Sequence, residues 1–471
     1  MLRFGFRWRL FAALPFFSAL LLGGCQQADL PPWLTGTKPA QQTAPARPQV
    51  QVPTAPQTAP SQPKTADGPA MPPAVQVERQ DLRPGGQEPG NVFSSLPFSA
   101  LPRLDAGNEV RAALLVPLSG TYAPWGQAMS NAAQLALFEI ADPRLNLIPL
   151  DTKGTPEGAA EAARQAMAQG ASVILGPLFS GEVRTAAAVA REKAIPVLAF
   201  TTDKSAVGGG AYALGVLPET QVARAVAHAR SLGRQRFAML ARSDEYGRTV
   251  AESFRAAVTR QGASVVKVEY YDPQAPDLVH TVKRFTEVEA RTRGRTKERR
   301  PSADTAPVPP PPFDAVMIPD DGTRLRQVAS MITYYEVDPG AVSFLGTMLW
   351  DDPRLTIEPA LQGGLFAAPP LAAHQAFEGR YAKAFGPLPA RVGNLASIAY
   401  DATALVAVLT RQNLDLSPEA LTNSNGFAGV DGLFRLRTDG TNERALAIRE
   451  ITRTGIVEAA PALETFAAPS F

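Results

Sequence analysis

The chain of 471 residues is 45% hydrophobic, 19% charged and 7% aromatic, which is enough apolar material for two or three ordinary domains. With 46 Lys and Arg against 44 Asp and Glu the formal net charge is +2, so no global electrostatic pull toward nucleic acid exists and a nucleic-acid partner is not expected. One cysteine and three scattered histidines (His228, His280, His374) supply no disulfide frame, no CxxC pair and no histidine set for a metal, so neither a metal nor another cofactor is expected.

The first residues read as an export signal. Arg3, Arg7 and Arg9 form a basic start, Leu10 to Leu22 is an apolar run broken only by Pro15 and Ser18, and Leu22-Gly23-Gly24-Cys25 follows. The run is shorter than the roughly 20 residues that a membrane-spanning helix needs. The segment, expected to be 1–24, resembles a bacterial lipoprotein signal, in which the cysteine after the small residues is lipidated and becomes the new N-terminus. Cys25, the chain's one cysteine, is the expected lipidation site; the competing reading is an ordinary signal peptide with a chance cysteine. Gln26 rather than Asp follows it, which in enteric lipoproteins implies an outer-membrane anchor facing the periplasm.

Residues 26–108 carry sixteen of the 44 prolines among Gln, Ala and Thr, with no helical or alternating apolar period. Such a stretch cannot bury a core and is expected to act as a disordered tether that reaches roughly 250 Å at full extension, at about 3.1 Å per residue. From Glu109 the pattern turns regular. Val110 to Pro117 predicts a strand, Gly126 to Ile140 a helix, Leu145 to Leu150 a strand, Pro156 to Gln169 a helix, Ser172 to Gly176 a strand, Glu182 to Lys193 a helix and Ile195 to Phe200 a strand. The alternation restarts after Gly233. Strands are predicted at Arg236 to Ala241, Ala263 to Tyr271, Phe313 to Ile318, Ser343 to Thr347 and Gly364 to Ala368, with helices at Gly247 to Gln261, Leu278 to Val288 and Leu325 to Tyr334. Short, wholly apolar strands that alternate with helices predict an α/β fold: two Rossmann-like lobes, each a parallel sheet with helices on both faces. Ligands of such sheets bind beyond the carboxyl ends of the strands, so a cleft between the lobes is the place to look.

Six segments occur in the order found in the type 1 periplasmic binding proteins of the leucine-binding class: Val116 to Gly126, Ala132 to Ala136, Ile174 to Ser180, Ile195 to Phe200, Asp244 to Gly247 and Ala399 to Ala402. The resemblance covers about residues 109–458. Gly176-Pro-Leu-Phe-Ser180, Leu217 to Val222 and Phe427 to Arg435 make the chain most similar to the lipoprotein activators of penicillin-binding proteins. The enteric activators carry a helical-repeat domain ahead of this fold, whereas the proline-rich tether stands in that place here. The resemblance implies a hinge of three chain crossings, expected near Gly233, Pro370 and Asn425. Lobe 1 would then be 109–232 plus 371–424, including a helix through Tyr400-Asp401-Ala402, and lobe 2 would be 233–370 plus 425–460. Closure by rotation about a few linker residues is the implied motion.

The residues just after the strands are the cleft candidates. Ser180 either meets an anion such as an α-carboxylate with the free amides of its helix or caps that helix; in the leucine-type proteins the matching serine contacts the ligand carboxylate. Thr201 and Thr202 either add donors or make a turn. Trp125 aligns with an aromatic residue that packs on the ligand, or else is an exposed lid or an internal staple. In the family, Asp244-Glu-Tyr246 lines the opposite lobe, and Asp320 stands where another ligand contact falls. An amino-acid ligand also needs a carboxylate for its ammonium. The leucine-type proteins place a Glu after the strand matching Ser343 to Thr347; this chain reads Met348-Leu-Trp-Asp-Asp352 there, so Asp351 or Asp352 is the substitute.

Residues 289–312, with Arg291 to Arg300 strongly basic and a proline run after them, are expected to form a surface insertion in lobe 2, either a solvated loop or a patch for an anionic partner. Catalysis is not expected. Gly176 to Gly181 lacks the first glycine of a nucleophile elbow, and there is no phosphate-binding loop and no histidine pair. Two non-enzymatic functions remain: a tethered module that docks on and stimulates a penicillin-binding protein, or a receptor that delivers an amino acid or related solute to an ABC permease.

Overall fold

The computed structural model describes residues 80–81, 109–293, 308–389 and 392–466, all within one compact unit, Ala74–Phe471. Cys25, the signal segment and all of the tether except residues 80–81 lie outside the described residues, as does 294–307 of the basic insertion. The insertion's described flanks are held by Arg291, which donates to the carbonyls of Pro309 (2.7 Å), Thr286 (3.1 Å) and Tyr335 (3.3 Å).

Gln80–Asp81 form a two-residue strand, β1. The first lobe then follows in chain order: β2 (Val110–Val116), α1 (Ala123–Ile140), β3 (Leu145–Asp151), α2 (Pro156–Ala168), β4 (Val173–Leu175), α3 (Ser180–Ala190), β5 (Val197–Ala199) and β6 (Ala211–Ala213). The five strands are parallel in the order β3-β2-β4-β5-β6. β2, β4 and β5 are buried along nearly their whole length because helices cover both faces, which is why they read as unbroken apolar runs. On one face α2 and α3 meet through alanines (Ala159, Ala162, Ala163, Ala166, Ala186, Ala190), and these small side chains let the helices pack close. The first helical residue of α2 is Pro156, and Thr155 caps it by accepting from the Gly158 amide at 3.0 Å.

The second lobe is built from α4 (Pro218–Ser231), β7 (Arg236–Arg242), α5 (Glu245–Arg260), β8 (Ser264–Tyr271), α6 (Val279–Thr286), α7 (Val288–Arg291), β9 (Ala315–Met317), α8 (Gly322–Tyr334), β10 (Ser343–Gly346) and β11 (Leu365–Ala368). The chain returns to the first lobe for α9 (Leu371–Phe385), α10 (Gly393–Arg411), α11 (Pro418–Leu421) and an antiparallel set of β12 (Phe427–Gly429), β13 (Gly432–Leu436) and β14 (Asn442–Arg444). It ends in the second lobe with β15 (Ala447–Thr452) and β16 (Gly455–Ala460), which extend that sheet antiparallel to β11: β16-β15-β11-β10-β9-β7-β8. Helix α10 is long and apolar enough to cross a membrane, but it is a core helix buried in the first lobe among α1, α9 and β12.

The hinge therefore differs from the expected one at two of its three crossings. Leu214 packs in the first core and Val216 in the second, with Val222, Ala225 and Val226 of α4 against Phe237 and Met239. The first crossing is thus at Gly215 rather than near Gly233, and α4 belongs to the second lobe. The second crossing falls between Ala368, which packs in the second lobe, and Phe377, which packs in the first. The third is not near Asn425: Phe427, Val430, Phe434 and Leu436 join the first core, and the chain passes over at Ala445–Leu446.

Side chains tie the crossings together. Arg444 donates through Nε and Nη2 to the Leu214 carbonyl (3.1 and 2.7 Å). Asn442 donates to the carbonyls of Ala213 (2.9 Å) and Gly215 (2.8 Å), and Arg449 to that of Pro369 (3.2 and 2.7 Å). These arginines replace water at carbonyls that a buried crossing would otherwise strand.

Candidate functional site

Both sheets share one topology. Numbering the strands of each lobe in order, the sequence across the sheet begins 2-1-3-4-5, with two further antiparallel strands after the fifth in the second lobe, which puts a topological switch point between the first and third strands. In the first lobe this point lies between the ends of β2 and β4, and in the second between the ends of β7 and β9. The first crossing leaves the carboxyl end of β6 and enters the N-terminus of α4, and the second leaves the carboxyl end of β11. The carboxyl edges of both sheets therefore border the hinge.

On the first lobe, Asp151 at the end of β3 shapes the loop after β2 by accepting from the amides of Leu118 (2.8 Å) and Ser119 (3.3 Å). Burial opposes its charge, but these bonds and that from Lys153 prevail and hold its carboxyl below the usual range. Tyr122 beyond this loop packs with tilted rings against Trp125 at 5.3 Å and Phe179 at 4.7 Å. Trp125 is half-buried and packs against the first-lobe core. Ser180 is the first residue of α3 and does not cap it: the residue before, Phe179, holds the cap position, and its amide donates to Glu182 Oε2 at 3.2 Å. The Ser180 hydroxyl lies 3.4 Å from the Thr201 hydroxyl, so the structure brings these two candidates together. Thr201 is buried and accepts from the Asp203 amide at 3.1 Å, which is the turn role; Thr202 beside it is exposed.

On the second lobe two of the candidates, Asp244 and Asp320, meet at a residue that the sequence did not single out, while Tyr246, Asp351 and Asp352 have other partners. Arg242, the last residue of β7, donates to Asp244 Oδ2 at 2.6 Å and stands 3.6 Å from Asp320. Asp244 also caps α5 through the Gly247 amide at 3.0 Å. Asp320 is buried and accepts from the Tyr271 hydroxyl. Burial raises the Asp320 carboxyl above its usual range, against these bonds, and the phenol of Tyr271 is pushed up by burial and by the same carboxylate. The Tyr246 hydroxyl lies 2.9 Å from that of Thr347, and burial pushes its pKa up to about 12. Asp351 pairs with Arg449 at 2.6 Å, and Asp352 with Arg354 at 2.6 Å. Arg242, Tyr271, Thr347 and Arg449 had no signal in the sequence beyond being polar residues at or near strand ends. Among the described residues no three His, Cys, Asp or Glu side chains converge as a metal site would require.

Behind the hinge, on the first-lobe side, is a buried charged cluster. Asp431 accepts from Ser397 Oγ (2.5 Å) and lies 2.8 Å from His374 Nδ1, whose Nε2 faces Glu378 at 3.6 Å. Asp401 accepts from the Val430 amide (2.7 Å) and faces Arg444 at 3.8 Å. Burial disfavours the charged imidazole, but the bond and charge of Asp431 outweigh it and hold His374 above the ordinary histidine value of 6.5. Burial likewise opposes the Asp431 charge, and His374 overcomes it, holding Asp431 below 3.8. The raised histidine pKa stabilises the fold fully below pH 6.5, and this contribution fades as pH rises through the folded value. The lowered aspartate contributes above about pH 4 and is lost as pH falls through its folded value. A His374→Gln variant is therefore expected to lose most stability at about pH 5–6, and its deficit against the native protein should shrink toward about pH 9 in urea unfolding. A deficit that does not change with pH would refute the charged pairing.

A family model described as periplasmic binding protein matches residues 109–455. The chain belongs to the periplasmic binding protein family. This binding protein is similar over 190 residues, at 26% identity, to the penicillin-binding protein activator LpoA of Vibrio cholerae; the match covers 39% of this chain and 31% of the Vibrio protein, so it spans about a third of that relative's length. Among solved structures it is similar to an ABC transporter substrate-binding protein from Sphaerobacter thermophilus, at 18% identity and a TM-score of 0.58, over 76% of this chain and 98% of that one. The leucine-binding protein LivK from Thermotoga maritima is also similar, at 18% identity and a TM-score of 0.52, over 75% and 98%. At these identities the likeness is one of fold, the two α/β lobes of the type 1 binding proteins. These relatives are named for binding or activation rather than for catalysis, and they point to the cell envelope or periplasm.

Proposed function

We propose that this protein is a non-enzymatic envelope lipoprotein whose binding module acts by docking on a penicillin-binding protein and stimulating cell-wall synthesis, anchored to the outer membrane through Cys25 and spaced from it by the tether. The observation that carries this reading is the state of the second-lobe carboxylates. Asp244, Asp320 and Asp351 are each engaged by a partner within their own lobe, chiefly Arg242, Tyr271 and Arg449. An amino-acid ammonium entering this face would have to break such a pair, which costs more than an exposed carboxylate would. The likeness to the Vibrio activator and the long tether support the same reading.

A second reading, a solute receptor for an ABC permease, draws on Ser180 and Thr201 at the N-terminus of α3, where free amides and two hydroxyls would receive a carboxylate. Crosslinking in the intact envelope followed by capture is expected to recover a cell-wall synthase, and titration calorimetry with amino acids is expected to show no binding. Recovery of a permease would overturn the activator reading, as would micromolar binding that Ser180→Ala weakens by roughly tenfold or more, the loss expected for one hydrogen bond to a charged group.

A further inference from the structure

At each of the three crossings an arginine holds a backbone carbonyl. Arg444 holds that of Leu214 at the first and Arg449 that of Pro369 at the second. At the third, Arg224 of α4 donates to the carbonyls of Leu446 (2.9 Å) and Pro461 (2.8 Å). Arg444 and Arg449 each face a carboxylate as well. Asp401, opposite Arg444, is sealed in the first-lobe core with no exposure, whereas Asp351, opposite Arg449, lies on the segment after β10 and keeps 16% of its side chain exposed. Of these two clasps, only the second can be reached by a solute.

The backbone of the second crossing makes its clasp decisive. Pro369 and Pro370 follow Ala368 directly. Each ring fixes φ at about −65°, so rotation through this pair has to come from ψ. Turning ψ of Pro369 swings the carbonyl that Arg449 holds through both Nε and Nη2. Asp351 in turn fixes the plane of that guanidinium by accepting from Nη1 at 2.6 Å, and Arg449 is itself only 1% exposed.

We propose that Asp351 is the release of a hinge latch: a cationic group that takes over its carboxylate frees Arg449 from the Pro369 carbonyl and lets the lobes turn. A buried guanidinium stripped of its carboxylate is costly. Glu458, exposed and opposite Arg449 in the β15–β16 register, offers it a second carboxylate nearer to water. The free energy of parting Asp351 from Arg449 is then what couples occupancy of this face to hinge motion. The latch goes beyond both readings of the function and serves either, because a basic side chain of a protein and the ammonium of a solute present the same charge.

Spin labels at Lys193→Cys and Glu252→Cys, exposed positions on the first and second lobe, report the distance between the lobes in the chain from residue 25 onward with Cys25→Ser. Asp351→Asn keeps the shape of the side chain and removes its charge. It is expected to raise the population of altered distances about tenfold, the effect of losing one hydrogen bond to a charged group. Glu358→Gln, on the same segment but bonded to Ser330, is expected to leave the distribution as in the native protein. Methylguanidinium chloride, compared with an equal concentration of sodium chloride, is expected to shift the native distribution in the same direction and to add nothing in Asp351→Asn. An unchanged distribution in Asp351→Asn would overturn the proposal. Equal broadening in Glu358→Gln would also overturn it, since the whole segment would then be loosening. Should Asp351→Asn fail to fold, the methylguanidinium arm on the native side chains decides, and no shift there refutes the latch.

Discussion

Replacing Arg444 with methionine is expected to cost about 3–5 kcal/mol of stability, the range for leaving one member of a buried charged pair uncompensated. Arg444 and Asp401 are both fully buried, 3.8 Å apart, with the guanidinium over the Phe434 ring at 4.8 Å. Burial raises the Asp401 carboxyl well above its usual range, and the neighbouring Asp431 charge adds to this, while Arg444 works the other way. Without the arginine, Asp401 must take up a proton or unfold its surroundings, and the Leu214 carbonyl at the first crossing loses its donor. The double variant Arg444→Met with Asp401→Leu should recover much of the loss, since two apolar groups leave no isolated charge. Urea unfolding of the four proteins of this cycle measures it. Equal stability of the single variant and the native protein would show that the pair contributes nothing.

Trp350→Ala is expected to cost about 3–5 kcal/mol, the range for emptying a large aromatic site in a core. Trp350 is completely buried in the second lobe, and its indole donates to the Ile318 carbonyl at 3.0 Å. The ring lies against Gly346 and Gly364, where even a Cβ would come within 2.1 Å and 2.8 Å of it. It therefore underpins the ends of β9 and β10, the segments that carry Asp320 and Asp351. Calorimetric unfolding should show a large fall in Tm, and a Trp350→Phe variant, which keeps most of the volume but loses the bond, should fall between the two. A Trp350→Ala protein as stable as the native one would mean that these loops are held from elsewhere.

The strand and helix pattern was legible in the chain because each strand is covered on both faces and so reads as a short apolar run. Predicted and observed bounds for β2, β7, β10 and β11 agree within a residue or two. The brief β6 and the C-terminal strands β12 to β16 carry no such run, and they were not foreseen. Of the candidates, Ser180 and Thr201 were legible as polar residues just after strands, and Asp244, Tyr246 and Asp320 through the resemblance to the leucine-binding class. Their partners were not, because Arg242 and Tyr271 are set beside Asp320 by strands β7 and β8, which join across the sheet and not along the chain.

Local periodicity alone determined that this protein is built of α/β units whose strand-end loops carry the polar groups, since burial on two faces imposes its signature residue by residue. Which lobe each unit joins was decided only by tertiary packing. Helix α4 has the same amphipathic pattern whichever sheet it covers, and its assignment turns on Leu214 and Val216 falling into different cores. Likewise, Asp401, Asp431, Arg444 and Arg449 have the composition of surface residues. They are buried because the three crossings meet at one place, where backbone carbonyls and opposite charges replace the water that each group would otherwise keep.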